Sequence, residues 1–369
     1  MKPRHKRYVF SIVSVLLAVL LAGLLAEGFC RLFGLGSWIV YERHLYRPAA
    51  FPGLSYELTP GFHGYAYGHR IRINSYGCRG EEISPIPEPG VFRIVAVGDS
   101  MTFGMGVGDT EHWPYVLGDL IEPPPGYDAV ETINAGVCGY NFRQNYVAIT
   151  RKVLQLRPHL IVLGLVSNDL APCYTATPDG YLIFPMIRGS LPIPGKRWLQ
   201  THSHFYQFSV FKYHQLRHTL GTHRRDSAAE VAASPASPWL RTQPLFEDLV
   251  ASLDVASVRL LCVKLSALDD PALDHMLTRH HIPCVRADFS AHGDTIPDGH
   301  PSAQGHLKIA AQVARAAART LSTSRTLPQP MPVPSPRLSE QLRTSPDRGG
   351  DVSEPPAEQP ATKEKKRSQ

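Results

Sequence analysis

The sequence predicts an α/β domain with a central parallel sheet, carried behind a transmembrane helix and followed by a disordered tail. Three observations predict it. Through the middle of the chain, short apolar runs bounded by turn residues alternate with helical apolar periods. Near the N-terminus a long apolar stretch follows a basic cluster. Beyond residue 321 the large apolar residues thin out and prolines accumulate. With 369 residues, 43% of them hydrophobic, the chain can bury a sizeable core, which excludes disorder throughout.

The elements follow in chain order. Met1–Arg7 reads MKPRHKR, and Tyr8–Ala26 adds nineteen uncharged, mostly apolar residues before Glu27. A helix of that length rises about 28 Å, near the hydrocarbon thickness of a bilayer. A cleaved signal peptide fits less well, because the available cuts put Leu24 or Leu21 three residues upstream. A lipoprotein signal needs small residues before its cysteine, and Phe29 precedes Cys30. Residues 1–35 are therefore expected to be a cytoplasmic basic stub and an uncleaved anchor. The excess of basic residues before the span places the rest of the chain outside the cytoplasm. Residues 36–89 are expected to form an N-terminal extension packed on the main domain, residues 90–321.

Within that domain, Phe92–Val97, Val130–Ile133, His159–Gly164, Ser257–Val263 and Ile282–Arg286 read as buried strands. Between them, Phe142–Leu156 places Tyr146, Ile149, Val153 and Leu156 on one helical face, and Pro158 stops it. Leu245, Phe246, Leu249, Val250 and Leu253 mark a second helix. Ser302 can cap a last one carrying Leu307, Ala310, Val313, Ala317 and Leu321. Strands alternating with helices imply a parallel sheet covered on both faces. Residues 170–241 interrupt the alternation with an aromatic-rich stretch, expected to form a cap over the site, in which Asp226–Ser237 reads as a mobile loop. Residues 322–369, rich in proline and ending KEKKRSQ, read as a disordered tail.

In such sheets, sites form at the carboxyl ends of the strands. After the first strand comes Gly98-Asp99-Ser100-Met101-Thr102-Phe103-Gly104, and after the second Asn134-Ala135-Gly136-Val137-Cys138-Gly139-Tyr140. Ser167-Asn168-Asp169 follows the third, and Asp298-Gly299-His300-Pro301-Ser302 precedes the last helix. Acyl transfer needs these residue types. A serine hydroxyl needs a base, a histidine serves near neutral pH, a carboxylate holds that histidine, and donors must meet the developing oxyanion. Ser100, His300 and Asp298 are the catalytic candidates. The Ser100 N–H, the Gly139 N–H and the Asn168 amide are the oxyanion candidates. The lipase-type GxSxG elbow is absent.

These four blocks, in this order, resemble those of the SGNH or GDSL-type hydrolase superfamily. Gly98–Gly104 matches its GDSxTxG block, NAGVCGY its glycine block, and Ser167-Asn168-Asp169 its GxND block, with Val166 where glycine is usual. Asp298-Gly299-His300 matches the last block, as DxH where DxxH is commoner. Upstream, Arg72–Gly80 is similar to a segment found ahead of GDS in membrane-anchored bacterial members. The resemblance covers about residues 90–320. It implies a flavodoxin-like three-layer α/β/α fold and ester hydrolysis with no metal or cofactor.

Several residues in and around these blocks have structural readings of their own. Asp99 and Asp169 are expected to brace their turns, and Thr102 to sit in a first helical turn. His306 and His292 are weaker candidates for the base than His300, and Asp294 a weaker carboxylate than Asp298. Cys138 is expected to be a small buried residue, and Cys262 and Cys284 to lie in core strands. Cys78 and Cys173 fall in loops where pairing is conceivable, and Cys30 at the membrane boundary. A metal site on His202 and His204 lacks further ligands at a usual spacing. The formal charge of +6 does not point to nucleic acid, because the basic residues are dispersed or terminal.

The expected function is cleavage of a carboxylic ester through an acyl-enzyme on Ser100, on an acylated small molecule, lipid or glycan. An O-acetyltransferase acting on a surface polysaccharide would share the site. A non-catalytic, surface-anchored binding or assembly protein would share only the fold.

Overall fold

A computed structural model describes residues 3–178, 180–183, 195–219 and 237–322. The first helix, α1 (Pro3–Leu32), outruns the expected apolar span by continuing past Glu27. From Tyr8 to Leu32 it is long and apolar enough to cross a membrane, and its side chains there are almost all uncovered by the rest of the protein. Its end is tied to the chain that follows. The Glu27 carboxylate accepts the Ser203 hydroxyl and the N–H groups of His204 and Phe205, which open helix α6 (His204–Thr219).

The core is a five-stranded, all-parallel sheet of β5 (Val91–Val97), β6 (Ala129–Asn134), β7 (Leu160–Leu165), β10 (Arg259–Lys264) and β11 (Cys284–Arg286). Its order is β11-β10-β7-β5-β6. Every residue of the central β7 is buried, as an apolar run flanked by strands and covered on both faces must be. Helix α3 (Trp113–Leu120) and helix α9 (Ala303–Ser322) pack together against one face, joining Trp113, Leu117, Ile309 and Val313 to Ile94, Val162 and Leu261. Helix α4 (Phe142–Arg151) packs with helix α7 (Gln243–Val255), and Phe142 stacks on Phe246. Helix α8 (Pro271–Arg279) links β10 to β11. The chain leaves β5 to one side for β6 and returns on the other for β7. In open parallel sheets such a reversal marks where sites form, beyond the carboxyl end of the strand at which it occurs, here β5.

The expected elements hold with local differences. The helix from Phe142 stops at Arg151 and continues as a 3-10 turn over Val153–Leu156, because Lys152 leaves helical geometry at φ −121°. Strand β11 is three residues long, and Cys284 is exposed rather than in the core, since an edge strand is covered by one neighbour only. Leu307 is 51% exposed because the buried stripe of α9 runs through His306, Ile309, Ala310, Val313 and Ala317.

Residues 36–89 build short antiparallel pairs, β1 (Tyr46–Arg47) with β2 (Glu57–Leu58) and β3 (His63–Ala66) with β4 (His69–Arg72). Their side chains make a second core in which Tyr46, Tyr56, Tyr67 and Ile73 meet Phe103, Val137, Cys138 and Tyr140 of the sheet's rim. The insertion holds a small hairpin, β8 (Thr175–Ala176) with β9 (Leu182–Ile183), and helices α5 (Lys196–His202) and α6. The Asp226–Ser237 segment lies outside the described residues apart from Ser237, as does the proline-rich tail apart from Ser322.

Candidate active site

Ser100 is the first residue of α2 (Ser100–Phe103), separated from the end of β5 by Gly98 and Asp99 alone. Asp99 caps that turn, its carboxylate accepting the Met101 N–H at 2.9 Å. The helix is one turn long, so individual N–H groups rather than a macrodipole act there. Glycine is required around it by contact. A Cβ on Gly98 or Gly164 would collide with the buried Thr102 hydroxyl, and one on Gly104, at φ +87°, with the His112 side chain. Arg79 fastens the far end of the turn. Its fully buried guanidinium donates to the carbonyls of Phe103, Gly104 and Val107 and pairs with Asp109. The Arg72–Gly80 segment thus ends as a brace beneath the serine.

His300 reaches the same point from a different loop. Its Nε2 lies 2.7 Å from Ser100 Oγ, across 200 residues of chain. The loop explains the two-residue spacing to Asp298. Asp298 Oδ1 accepts the His300 N–H at 3.2 Å, a local turn that leaves Oδ2 only 3.1 Å from His300 Nδ1. The Nδ1 approach is bent away from a hydrogen-bond line, so it is a close charge contact. Gly299 takes φ +94° to allow the turn, and Ile296 and His300 close it with a 2.8 Å backbone bond. With a proton on Nδ1 facing Asp298, Nε2 is left to accept from the serine.

The electrostatics agree with that polarity. Burial is the largest influence on His300 and pushes its pKa down. The contact and charge of Asp298, with the charge of Asp99, outweigh it, so the imidazole is held above its ordinary value. Asp99 is raised, first by burial.

The competing residues fall elsewhere. His306 is buried in α9, its Nδ1 accepting the Trp113 N–H at 3.2 Å, and burial pushes it down to about 3. His292 is exposed. Asp294 is buried and spent on the Ala291 N–H and Lys308, bracing the same loop. Asp169 is buried, accepts the Val166 N–H at 2.8 Å, and is raised well above the carboxylate range by burial first and the charge of Asp99 second.

Gly139 follows β6 in a left-handed conformation at φ +79°, with Gly136 close against the backbone of Thr102 and Phe103. Among the described residues, neither its N–H nor that of Ser100 is donated to a protein acceptor. Asn168 is exposed after β7, with its side chain unspent among the described residues. Two aromatic neighbours of Gly139 carry no signal in the sequence. The Tyr174 ring and the Tyr56 hydroxyl lie where a Cβ on Gly139 would point. Cys78, Cys138 and Cys173 are free thiols, and burial pushes Cys138 up to about 12. Among the described residues there is no cluster of three metal-ligating side chains.

No protein-family model matches the chain, and no curated protein sequence matches it. Solved structures do. A protein described as lipolytic and of the G-D-S-L family, from Desulfitobacterium hafniense, is 14% identical, with 61% of this chain and 98% of that one covered at a TM-score of 0.34. A protein described as an acylhydrolase, from Bacteroides fragilis, is 15% identical, with 62% and 88% covered at 0.33. An acetylxylan esterase from Geobacillus stearothermophilus is 12% identical, with 63% and 95% covered at 0.32. The solved structures to which this chain is similar are thus, by description, lipolytic, acylhydrolase and esterase proteins, the G-D-S-L family among them.

Proposed function

We propose that the chain is a serine ester hydrolase of the SGNH or GDSL type, held at a membrane by α1. The observation that carries this reading is the 2.7 Å approach of His300 Nε2 to Ser100 Oγ, with Asp298 behind the ring. Ser100 Oγ attacks the ester carbonyl while its proton passes to Nε2. The carbonyl oxygen becomes an oxyanion, held by the N–H groups of Ser100 and Gly139 and the Asn168 amide. Collapse breaks the bond to the alcohol oxygen, which leaves with the proton from His300. Water then attacks the acyl-enzyme, its proton passing to Nε2, and collapse returns that proton to Ser100 as the carboxylic acid departs. Asp298 keeps Nδ1 protonated and balances the imidazolium.

In this reading the N-terminus is cytoplasmic and the catalytic part extracytoplasmic, with residues 36–89 as an extension, 90–321 as the hydrolase domain and 170–241 as its cap. The test is a panel of short- and long-chain aryl esters and acetylated glycans, run with native protein and Ser100→Ala. Native turnover on at least one ester, lost by at least about a thousandfold in the variant with its melting temperature little changed, is the expected result. Equal turnover by both proteins contradicts the assignment of Ser100.

A further inference from the structure

We propose that Tyr56, from the segment ahead of the sheet, is a positioning residue that holds the Gly139 oxyanion donor in its working orientation. The proposal deepens, and rests on, the reading of Gly139 given above.

The carbonyl of Cys138 and the N–H of Gly139 belong to one planar peptide and point in opposite directions. Whatever grips the carbonyl therefore aims the N–H. Tyr56 Oη donates to the Cys138 carbonyl at 2.6 Å, in a fully buried setting. The grip matters because of the residue on the other side. Gly139 sits at φ +79°, and glycine gives its flanking peptide rotational freedom that other residues deny. A 138–139 peptide that turned over would present a carbonyl oxygen where a donor is needed, replacing attraction for the oxyanion with repulsion. A hydrogen bond on the carbonyl opposes that flip and also polarises the N–H, making it a stronger donor.

Tyr56 is itself immobilised. Its carbonyl accepts the Tyr140 hydroxyl at 2.6 Å, and its ring meets those of Tyr140 and Tyr46 edge-on at 5.2 and 5.8 Å. The preceding Ser55 donates to the Tyr174 carbonyl and accepts from Gln144. Since the Tyr174 ring also covers Gly139, residues 55 and 56 hold both the donor peptide and the aromatic wall beside it. The extension thereby completes a catalytic feature that the sheet's own loops leave incomplete.

The test is Tyr56→Phe, which keeps the ring and removes the hydroxyl. Active-site titration with a fluorophosphonate counts folded, competent sites, so that kcat is expressed per site. On p-nitrophenyl acetate we expect kcat to fall by at least about tenfold with KM within about twofold, a loss confined to the transition state. The inhibition constant of a small boronic acid, whose serine adduct places an oxygen in the oxyanion position, should rise in proportion. Tyr41→Phe is the control. It deletes a phenol of the same aromatic cluster that accepts the Leu182 N–H and touches neither Tyr56 nor the Cys138 carbonyl, and it should lower stability while leaving kcat unchanged. Native kcat in Tyr56→Phe, a KM rise that accounts for the whole loss, or an equal kcat loss in Tyr41→Phe would each overturn the proposal. A native protein that neither hydrolyses esters nor binds the boronic acid would instead remove the reading beneath it, and the proposal with it.

Discussion

At the scale of single residues, the proposed chemistry turns on which nitrogen of His300 is free. In the proposed reaction Nε2 accepts the serine proton only while the ring is neutral; burial pulls the ring's pKa down, and Asp298 and Asp99 outweigh it and hold it above its ordinary value. The working fraction therefore grows as pH rises, and the rising limb of kcat/KM should lie above about 6.5, the ordinary histidine value. Asp298→Asn removes the nearer source of that upward shift. The limb should move to lower pH while the plateau falls by roughly 100-fold or more, because the ring loses the group that selects its tautomer. A pH–rate profile from 5 to 9 checks both. A limb that stays in place in the variant would exclude Asp298 as the partner. This pairing was legible from the sequence because Asp298, Gly299 and His300 are adjacent and the turn they form is local. Tyr56 was not legible, since its partner lies 82 residues away and a tyrosine carries no signal of what its hydroxyl will meet.

At the scale of elements, the joint between α3 and α9 depends on a neutral histidine. His306 Nδ1 accepts the Trp113 N–H that opens α3, and a protonated Nδ1 has no lone pair to offer. Its folded pKa is about 3 and its unfolded one about 6.5, so between these values the unfolded chain binds the proton and the folded one does not. The contribution is therefore complete above about 6.5 and is lost as pH falls. His306→Asn keeps an acceptor and removes the titration. Between pH 6 and 4, native stability should decline relative to this variant by about 1.4 kcal/mol per pH unit. Urea unfolding of both proteins across that range measures it, and parallel curves would contradict the assignment. Element identity was readable where periodicity ran long, as in β5, β7 and α9. It was not readable in β1 to β4, whose two to four residues hold too little pattern to register. Leu307 went astray for a related reason, since apolar character does not by itself set which stripe of a helix is buried.

At the scale of the whole molecule, the candidate site is assembled from parts far apart in the chain. Strand order reverses beside β5, whose end brings Ser100, the loop before α9 brings His300, the loop after β6 brings Gly139, and the extension braces that loop. The α/β class and the loops that meet at the candidate site could be read beforehand, because alternation and turn composition are local properties. The strand order and the docking of the extension depend on contacts between distant segments, which no single-residue pattern encodes. The central claim is that one hydroxyl, on Ser100, is activated by one imidazole, on His300. Its most direct measurement is peptide mapping by mass spectrometry after exposure of the folded protein to a fluorophosphonate. One adduct on Ser100 in the native protein, and its near-complete loss in a folded His300→Ala variant, is the predicted result. A native protein left unlabelled, or labelled at another residue, would contradict the account.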